Sequence, residues 1–402
     1  MSIYWLINQY ASTPQTGSGG RHFYLANALA KQGHTVYLIG SSYTHLLRNP
    51  PKIKKKFTTE SVSKNFKFVW IKVPHYPEAH NKKRIFNWLL FTFRLLNLEN
   101  IIKDKPDIIL CSSPSPFPFL SAQRLAKKFG SKLAFEVRDI WPLTLVNLGG
   151  YSSRNPFIKL MQWVENKAFL NSDVIISNLP NAIEYITERG FSTKKFFFIP
   201  NGFDLSEVME PTPLDHKVMN TLTKNKFIVG YVGTIGMANA LDLLIEAADL
   251  LKNEKEIAFL IVGNGKQKQR LINKASKLDN ITFIDSIPKN QVQSLLKEID
   301  IAFVGELQSG LYKYGVAFQK IPEYLIASKP VIHLTSFDSP IEKAQAGIQV
   351  KDYRAEAICE AILKLKSLPL EDFNKMGENG RLFALNNYDY SMLAKKLSEV
   401  FS

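Results

Sequence analysis

Two charged segments and a set of glycine-rich loops hold most of the chemistry available to this sequence. Glu136-Val-Arg-Asp-Ile-Trp-Pro142 follows an apolar run that reads as a buried strand. Charges at the C-terminal end of such a strand are costly unless they pair or meet a ligand. Arg138 and Asp139 are therefore candidates for a reaction centre, with a structural salt bridge as the alternative. Ser309–Tyr324 joins a strand to a short helix and is rich in Gly and Tyr. Free N–H groups at that helix start suit a pyrophosphate. Lys320 would add a point charge, and Glu323, one turn on, could accept hydrogen bonds from a ribose diol or simply be solvated. Gly17-Ser-Gly-Gly20 lets backbone approach a ligand ahead of a helix N-terminus. Its spacing fits neither G-x-G-x-x-G nor a Walker A motif, so no standard NAD or ATP loop is indicated. Gly230-Tyr-Val-Gly-Thr-Ile-Gly236 is its counterpart later in the chain, whereas Val262-Gly-Asn-Gly265 and Pro200-Asn-Gly-Phe-Asp204 read as turns.

Other chemistries have no support. The seven histidines form no H-x-x-x-H pair, and no serine nucleophile elbow occurs. Cys111 and Cys359 exclude a disulfide scaffold and a cysteine-based zinc site. No metal or other cofactor is expected.

The elements that must position these residues alternate as strand and helix, which predicts an α/β fold with parallel sheets. Strands are expected at 3–8, 34–40, 66–73, 107–111, 132–137, 173–177 and 196–199, with a helix over 21–32. A second alternation starts at Phe227. Residues 205–225 are polar, contain two prolines and read as a linker. The expected domains are 1–204 and 226–384. A length of 402 residues and 45% hydrophobic content suit two such globular domains. The N-terminal residues have no basic region or cleavage site, which predicts no signal peptide. No stretch of about 18 apolar residues exists to span a bilayer.

Charge is unevenly spread. Residues 1–100 hold 14 Lys and Arg against three acids, a net of +11 out of +15 for the chain. This suggests an anionic partner or a solvated surface. Lys54, Lys55 and Lys56 lie upstream of Lys82-Lys83-Arg84, which opens a segment continuing through Trp88 to Leu96 with many apolar and aromatic residues. That combination suits an interfacial helix on anionic lipid, or a buried core helix. No nucleic-acid-binding module's signature is present, and no nucleic-acid partner is expected.

Taken in order, the Gly-rich first loop, R-D-x-W-P, I-P-N-G-F-D, G-Y-V-G-T-I-G, V-G-N-G and Lys320-Ile-Pro-Glu-Tyr-Leu-Ile-Ala-Ser-Lys-Pro-Val331 resemble the retaining glycosyltransferases of family 4. The similarity covers nearly the whole chain. It points toward the bacterial branch that builds O-antigen, capsule and colanic-acid-type polysaccharides, which includes N-acetyl-fucosamine transferases. The resemblance implies a GT-B fold, two Rossmann-like doubly wound α/β domains facing across a cleft. The N-terminal domain would take the acceptor and the C-terminal domain a nucleotide sugar, with a final helix over about 385–402 crossing back. Glu323 matches the last Glu of the family's E-x7-E motif, which holds the ribose. Gly315, Val316, Ala317 and Phe318, through Lys320, would lie against the diphosphate. Gly19 and Gly20 would approach it from the other domain, and Gly233, Thr234 and Gly236 would line the donor side.

The chain departs from the family pattern in three places. Gly315 stands where the first Glu of E-x7-E would fall, Thr234–Asn239 lacks the usual Arg and Lys, and Arg138-Asp139 replaces His-Asp. Lys320 and Arg138 are expected to supply the missing positive charge, and Asp139 to orient or deprotonate the acceptor hydroxyl. The expected reaction is metal-independent transfer of a sugar, an N-acetylated deoxyhexosamine on UDP, to an undecaprenyl-diphosphate-linked acceptor. The expected location is the cytoplasm, peripheral to the inner face of the cytoplasmic membrane, with Lys54–Lys56, Lys82, Lys83, Arg84 and Trp88 bringing the enzyme to the anionic surface and acceptor. The alternatives are a sugar-nucleotide epimerase, a soluble-acceptor transferase of the same fold, or a non-catalytic protein binding an anionic surface.

Overall fold

A computed structural model describes residues 1–17, 19–77, 81, 83–222 and 225–401. The chain divides into two compact units. Unit 1 comprises 1–201, 314–317 and 390–402; unit 2 comprises 202–313 and 318–389.

Unit 1 is built on eight strands: β1 (Ile3–Ile7), β2 (Thr35–Ser41), β3 (Phe57–Ser63), β4 (Phe66–Ile71), β5 (Ile108–Ser112), β6 (Lys132–Val137), β7 (Val174–Ser177) and β8 (Phe196–Phe198). Their order is β3-β4-β2-β1-β5-β6-β7-β8. All neighbours are parallel except β3, which pairs antiparallel to β4 at the edge. The helices are α1 (Gly20–Lys31), α2 (Lys83–Leu95), α3 (Pro118–Phe129), α4 (Leu143–Asn147), α5 (Pro156–Asn171) and α6 (Ala182–Glu188). Central strands such as β1, Ile-Tyr-Trp-Leu-Ile, are apolar throughout because both faces are covered. Helix starts and stops follow local chemistry. Asn155 caps α5 by accepting from the Phe157 N–H, and Gly130 ends α3 in the left-handed region. The strand order reverses direction between β1 and β5, so the crevice beyond their C-terminal ends is where such a sheet takes ligands.

Unit 2 opens with two short helices, α7 (Leu205–Met209) and α8 (His216–Met219). It continues as β9 (Phe227–Val232), α9 (Leu241–Leu250), β10 (Ile257–Val262), α10 (Lys268–Lys274), β11 (Ile281–Ile284), α11 (Val292–Lys297), β12 (Ile301–Gly305), α12 (Lys320–Ile326), β13 (Val331–Leu334), α13 (Pro340–Lys343), β14 (Gly347–Val350), α14 (Ala355–Lys366) and α15 (Leu370–Tyr388). Its sheet is wholly parallel, in the order β11-β10-β9-β12-β13-β14. Here the reversal falls between β9 and β12. The last helix, α16 (Tyr390–Glu399), belongs to unit 1, where it lies along α1. The Tyr390 ring stacks on Tyr24 with centroids 5.4 Å apart.

The structure differs from the sequence reading at several elements. Residues 205–225 are not a bare connection: Leu205, Val208, Leu214, Val218 and Leu222 pack on the unit 2 core. Strand β3 was not expected because Phe-Thr-Thr-Glu-Ser-Val-Ser is polar and largely exposed, as an edge strand is. Strand β14 also escaped notice, as a four-residue run.

Candidate functional site

In unit 2 the glycine loop after β9 meets the start of α12. The Lys320 stem lies directly on Gly233, whose φ is +152° and at which a Cβ would overlap the lysine chain. The Lys320 ammonium donates to Asn239 Oδ1 at 2.8 Å and sits 5.0 Å from the Tyr231 ring centroid. Burial lowers its pKa to about 8, with Glu323 opposing. Thr234 is held by its own carbonyl, which accepts from the Tyr231 hydroxyl at 2.6 Å and from Asn239 Nδ2 at 3.0 Å. Gly263 and Gly265, read as parts of a turn, turn out to support this loop. A Cβ on either would overlap the backbone of Gly233 or Ile235. Gly236 has extended backbone and room for a side chain, so packing does not demand glycine there.

Glu323 faces Lys289, with which it forms an ion pair, and its backbone carbonyl accepts from Gln293 Nε2 at 3.2 Å. A ribose diol would share that carboxylate with Lys289. Helix α12 has seven residues, fewer than two turns. Its start therefore offers little dipole, so any attraction for an anion there would rest on the Lys320 charge. Glu306, just past β12, is a buried carboxylate absent from the sequence-based candidates. It accepts from Thr335 Oγ1 at 2.5 Å, and burial raises its pKa to about 7.

The segment expected to line the diphosphate is divided. Phe318 packs in the unit 2 core, its ring 5.5 Å from His333. Tyr314, Gly315, Val316 and Ala317 instead make their contacts within unit 1. Asn181 N donates to the Tyr314 carbonyl at 3.1 Å, and Asn201 Nδ2 to the Ala317 carbonyl at 2.9 Å. Gly315 has φ +92° and abuts Pro180, so a glutamate there would collide with the proline ring. The Pro200-Asn201 turn thus anchors backbone as well as reversing the chain.

In unit 1, a buried charge network ties the first glycine loop to β6. Gly19 and Gly20 both have positive φ, +69° and +75°; Ser18 between the glycines lies outside the described residues. The following Arg21 and His22 reach Glu136, at 2.7 Å from Nε and 2.6 Å from Nε2. Ser112 Oγ donates to the same carboxylate at 2.5 Å, and an Arg21 Nη1 donates to the Pro200 carbonyl. Burial by itself would raise the Glu136 carboxyl, but Arg21, His22 and Arg138 hold it well below the ordinary range. Burial pushes His22 downward against Glu136, so the imidazole is neutral and Arg21–Glu136 is the charged pair. Two residues on, the Arg138 and Asp139 amides both approach Ser113 Oγ, at 2.8 and 3.2 Å. Asp139 is reached by solvent, yet crowding by protein raises its carboxyl above the usual range while Arg138 opposes.

The basic and aromatic segment splits in two. Lys54, Lys55, Lys56 and Lys83 are exposed, and Lys82 lies outside the described residues. Phe86, Leu89 and Phe93 project from α2 with 56%, 47% and 68% of their surface exposed. Trp88 does the opposite. Only 3% exposed, it packs against Trp141 and donates to the Tyr10 hydroxyl at 2.8 Å, so it cannot enter lipid. Arg84 turns inward beside it and donates from Nε to the same hydroxyl at 3.0 Å.

Among the described residues no group of three or more His, Cys, Asp or Glu is placed to hold a metal ion. Among them, too, no helix is long and apolar enough to cross a membrane.

Comparison with known proteins follows the same division of the chain. Residues 17–207 match the model of Glycosyltransferase Family 4, and residues 215–383 that of Glycosyl transferases group 1. A glycosyl transferase of Escherichia coli K12, WcaI, attributed to colanic acid biosynthesis, is 27% identical over 55% of this chain and 54% of its own length. The O-antigen biosynthesis glycosyltransferase WclY of Escherichia coli is 24% identical over 44% of this chain and 48% of its own. The matched stretch thus spans about half of each relative. Among solved structures, sucrose-phosphate synthase from Thermosynechococcus elongatus superimposes with a TM-score of 0.74 at 16% identity, covering 100% of this chain and 98% of that one. Anabaena HepE in complex with UDP and glucose gives 0.66 at 13% identity, covering 100% and 99%.

Proposed function

Because this chain belongs to the GT-B glycosyltransferases, its two halves matching a family 4 and a group 1 model, we propose that it transfers a sugar from a nucleotide donor to a glycan acceptor of a bacterial surface polysaccharide. The donor is a UDP-linked N-acetylated deoxyhexosamine, transfer retains the anomeric configuration, and the acceptor is a saccharide on a lipid diphosphate. The observation that carries the reading is Lys320 laid on Gly233 past the C-terminal end of β9, with Glu323 one turn further along α12. Breaking the donor bond builds negative charge on the leaving diphosphate. A desolvated ammonium beside backbone amides stabilises that charge more in the transition state than in the ground state. These groups do the electrostatic work without calling on a metal ion. The ribose hydroxyls go to Glu323. Asp139 of unit 1, with its raised carboxyl, receives the proton of the attacking acceptor hydroxyl as the new glycosidic bond forms.

Calorimetry against UDP, GDP, ADP and their sugars tests the donor side. UDP-sugar binding that falls about tenfold or more in Glu323→Ala is expected, since a lost charged hydrogen bond is worth roughly 1.5–3 kcal/mol. Binding of none of these nucleotides would refute the transferase reading and favour a non-catalytic surface-binding protein.

The acceptor's lipid places the enzyme at the inner face of the cytoplasmic membrane. The exposed Phe86, Leu89 and Phe93 of α2, with Lys54–Lys56 and Lys83, supply the apolar and cationic groups such binding needs. Replacing Lys54, Lys55, Lys56, Lys82 and Lys83 with Glu should abolish sedimentation with anionic liposomes. Unchanged sedimentation would remove the membrane from the account.

A further inference from the structure

Unit 1 contains a cluster of aromatic rings around one guanidinium, assembled from three separate parts of the chain. Tyr10 follows β1, Arg84 and Trp88 come from the first turns of α2, and Trp141 lies in the loop after β6. The Arg84 guanidinium carbon is 5.5 Å from the Tyr10 ring centroid, 5.2 Å from that of Trp88 and 5.5 Å from that of Trp141. The Tyr10 hydroxyl accepts from both Arg84 Nε and Trp88 Nε1, at 3.0 and 2.8 Å. Trp88 and Trp141 meet edge to face with centroids 5.4 Å apart. Trp88 is buried, while Tyr10, Arg84 and Trp141 are only half-buried and keep surface facing outward. The cluster stands beyond the C-terminal ends of β1 and β6, close enough to Asp139 for the Tyr10 hydroxyl to feel its charge.

This arrangement exceeds what packing requires. Three rings fix the plane of the guanidinium, and a fork held in advance loses little freedom when it meets a phosphate. Half-exposed tyrosine and tryptophan rings beside it offer flat apolar faces to the C–H face of a pyranose. A sugar bearing an anionic group matches both features, whereas a lipid tail would match neither the cation nor its hydrogen-bonded setting.

We propose that Tyr10, Arg84 and Trp141, braced by Trp88, form a subsite for a glycosyl diphosphate, with the pyranose on the Trp141 and Tyr10 rings and the diphosphate on Arg84. The inference rests on the glycosyltransferase reading and specifies its acceptor side. Of the membrane and acceptor roles expected for Arg84 and Trp88, it keeps the acceptor one.

Two tryptophans in the cluster make it directly observable. The full-length protein, in a Lys320→Met background that weakens anion binding in unit 2, is titrated with inorganic diphosphate and with the methyl diphosphate of N-acetylglucosamine while tryptophan fluorescence is followed. A saturable change is expected for both probes, with the sugar diphosphate tighter. Arg84→Gln should weaken both by about tenfold or more, as expected for loss of a charged hydrogen bond. Trp141→Leu should abolish the advantage of the sugar probe. A wild-type-like affinity in Arg84→Gln, or equal affinity of the two probes, would overturn the proposal. Should Arg84→Gln fail to fold, Arg84→Lys keeps the cation but not the fork and must still bind both probes more weakly. UDP binding by the unaltered protein, measured separately, reports on the donor reading and can fail without affecting this titration.

Discussion

Lys320 illustrates how much a single side chain is asked to do. Its ammonium is stripped of water, lies over an aromatic ring and rests on a glycine that nothing larger could replace without moving it. A folded pKa of about 8 means the charge is present at neutral pH and is lost as pH rises through that value. If it binds the leaving diphosphate, kcat/KM, which reports the free enzyme, should fall above about pH 8. The corresponding fall in kcat should lie at higher pH, because a bound diphosphate favours the charged amine. Lys320→Met should erase the alkaline limb, and Gly233→Ala, by displacing the lysine stem, should lower activity at every pH. A profile unchanged in Lys320→Met would remove the residue from the mechanism. Lys320 and Glu323 were legible in the sequence because charged groups stood at a strand-to-helix junction. Glu306 obeys the same rule but stands alone between Gly305 and Leu307, with no second charge beside it to mark the junction. Tyr10 and Trp141 could not be read locally, since their meaning depends on residues more than 50 positions away.

The junction between the first glycine loop and β6 shows how elements, rather than residues, are positioned. Arg21 and His22 begin α1, Glu136 ends β6, Ser112 ends β5, and all meet in a space closed to water. The network aligns Gly19-Gly20 with the loop that carries Arg138 and Asp139. Removing the carboxylate would strand a buried guanidinium, which costs roughly 3–5 kcal/mol. Glu136→Gln should therefore lose about that much stability in denaturant unfolding. The sign of the pH effect follows from both partners. The unfolded chain protonates the His22 imidazole near its usual pKa of 6.5 and the Glu136 carboxyl near 4.5, whereas the folded chain resists both. Stability should thus decline as pH falls below about 6.5 and more steeply below 4.5, and the second decline should be absent in Glu136→Gln. A mutant as stable as its parent would refute the network's structural role. The sequence revealed strands and helices here through their apolar runs, and the costly charge at Glu136 was visible. Its partners were not, because Arg21 and His22 look like any polar residues at the start of a helix.

At the scale of the whole molecule, two doubly wound sheets were readable from the alternation of short apolar runs and longer amphipathic ones. The way the chain is shared between them was less so. Unit 1 draws on three stretches, 1–201, 314–317 and 390–402, and its core includes Tyr390, Leu393 and Leu397 from α16. Each of those side chains contributes about 1.5–3 kcal/mol by leaving water. A chain ending at Asp389 should therefore unfold unit 1 at lower temperature, seen in calorimetry as an earlier transition, and a synthetic 390–402 peptide should restore it. Equal melting of the shortened and full chains would mean that α16 adds nothing to unit 1.

That sharing also sets the order in which the protein can be completed. Most of unit 1 is made before unit 2, but it lacks part of its core until Tyr390, Leu393 and Leu397 are made, more than 180 residues after Asn201. During that interval the face of α1 that receives Tyr390 stays uncovered. The unit begun first in translation is therefore the one that must wait for residues 390–402 to finish folding.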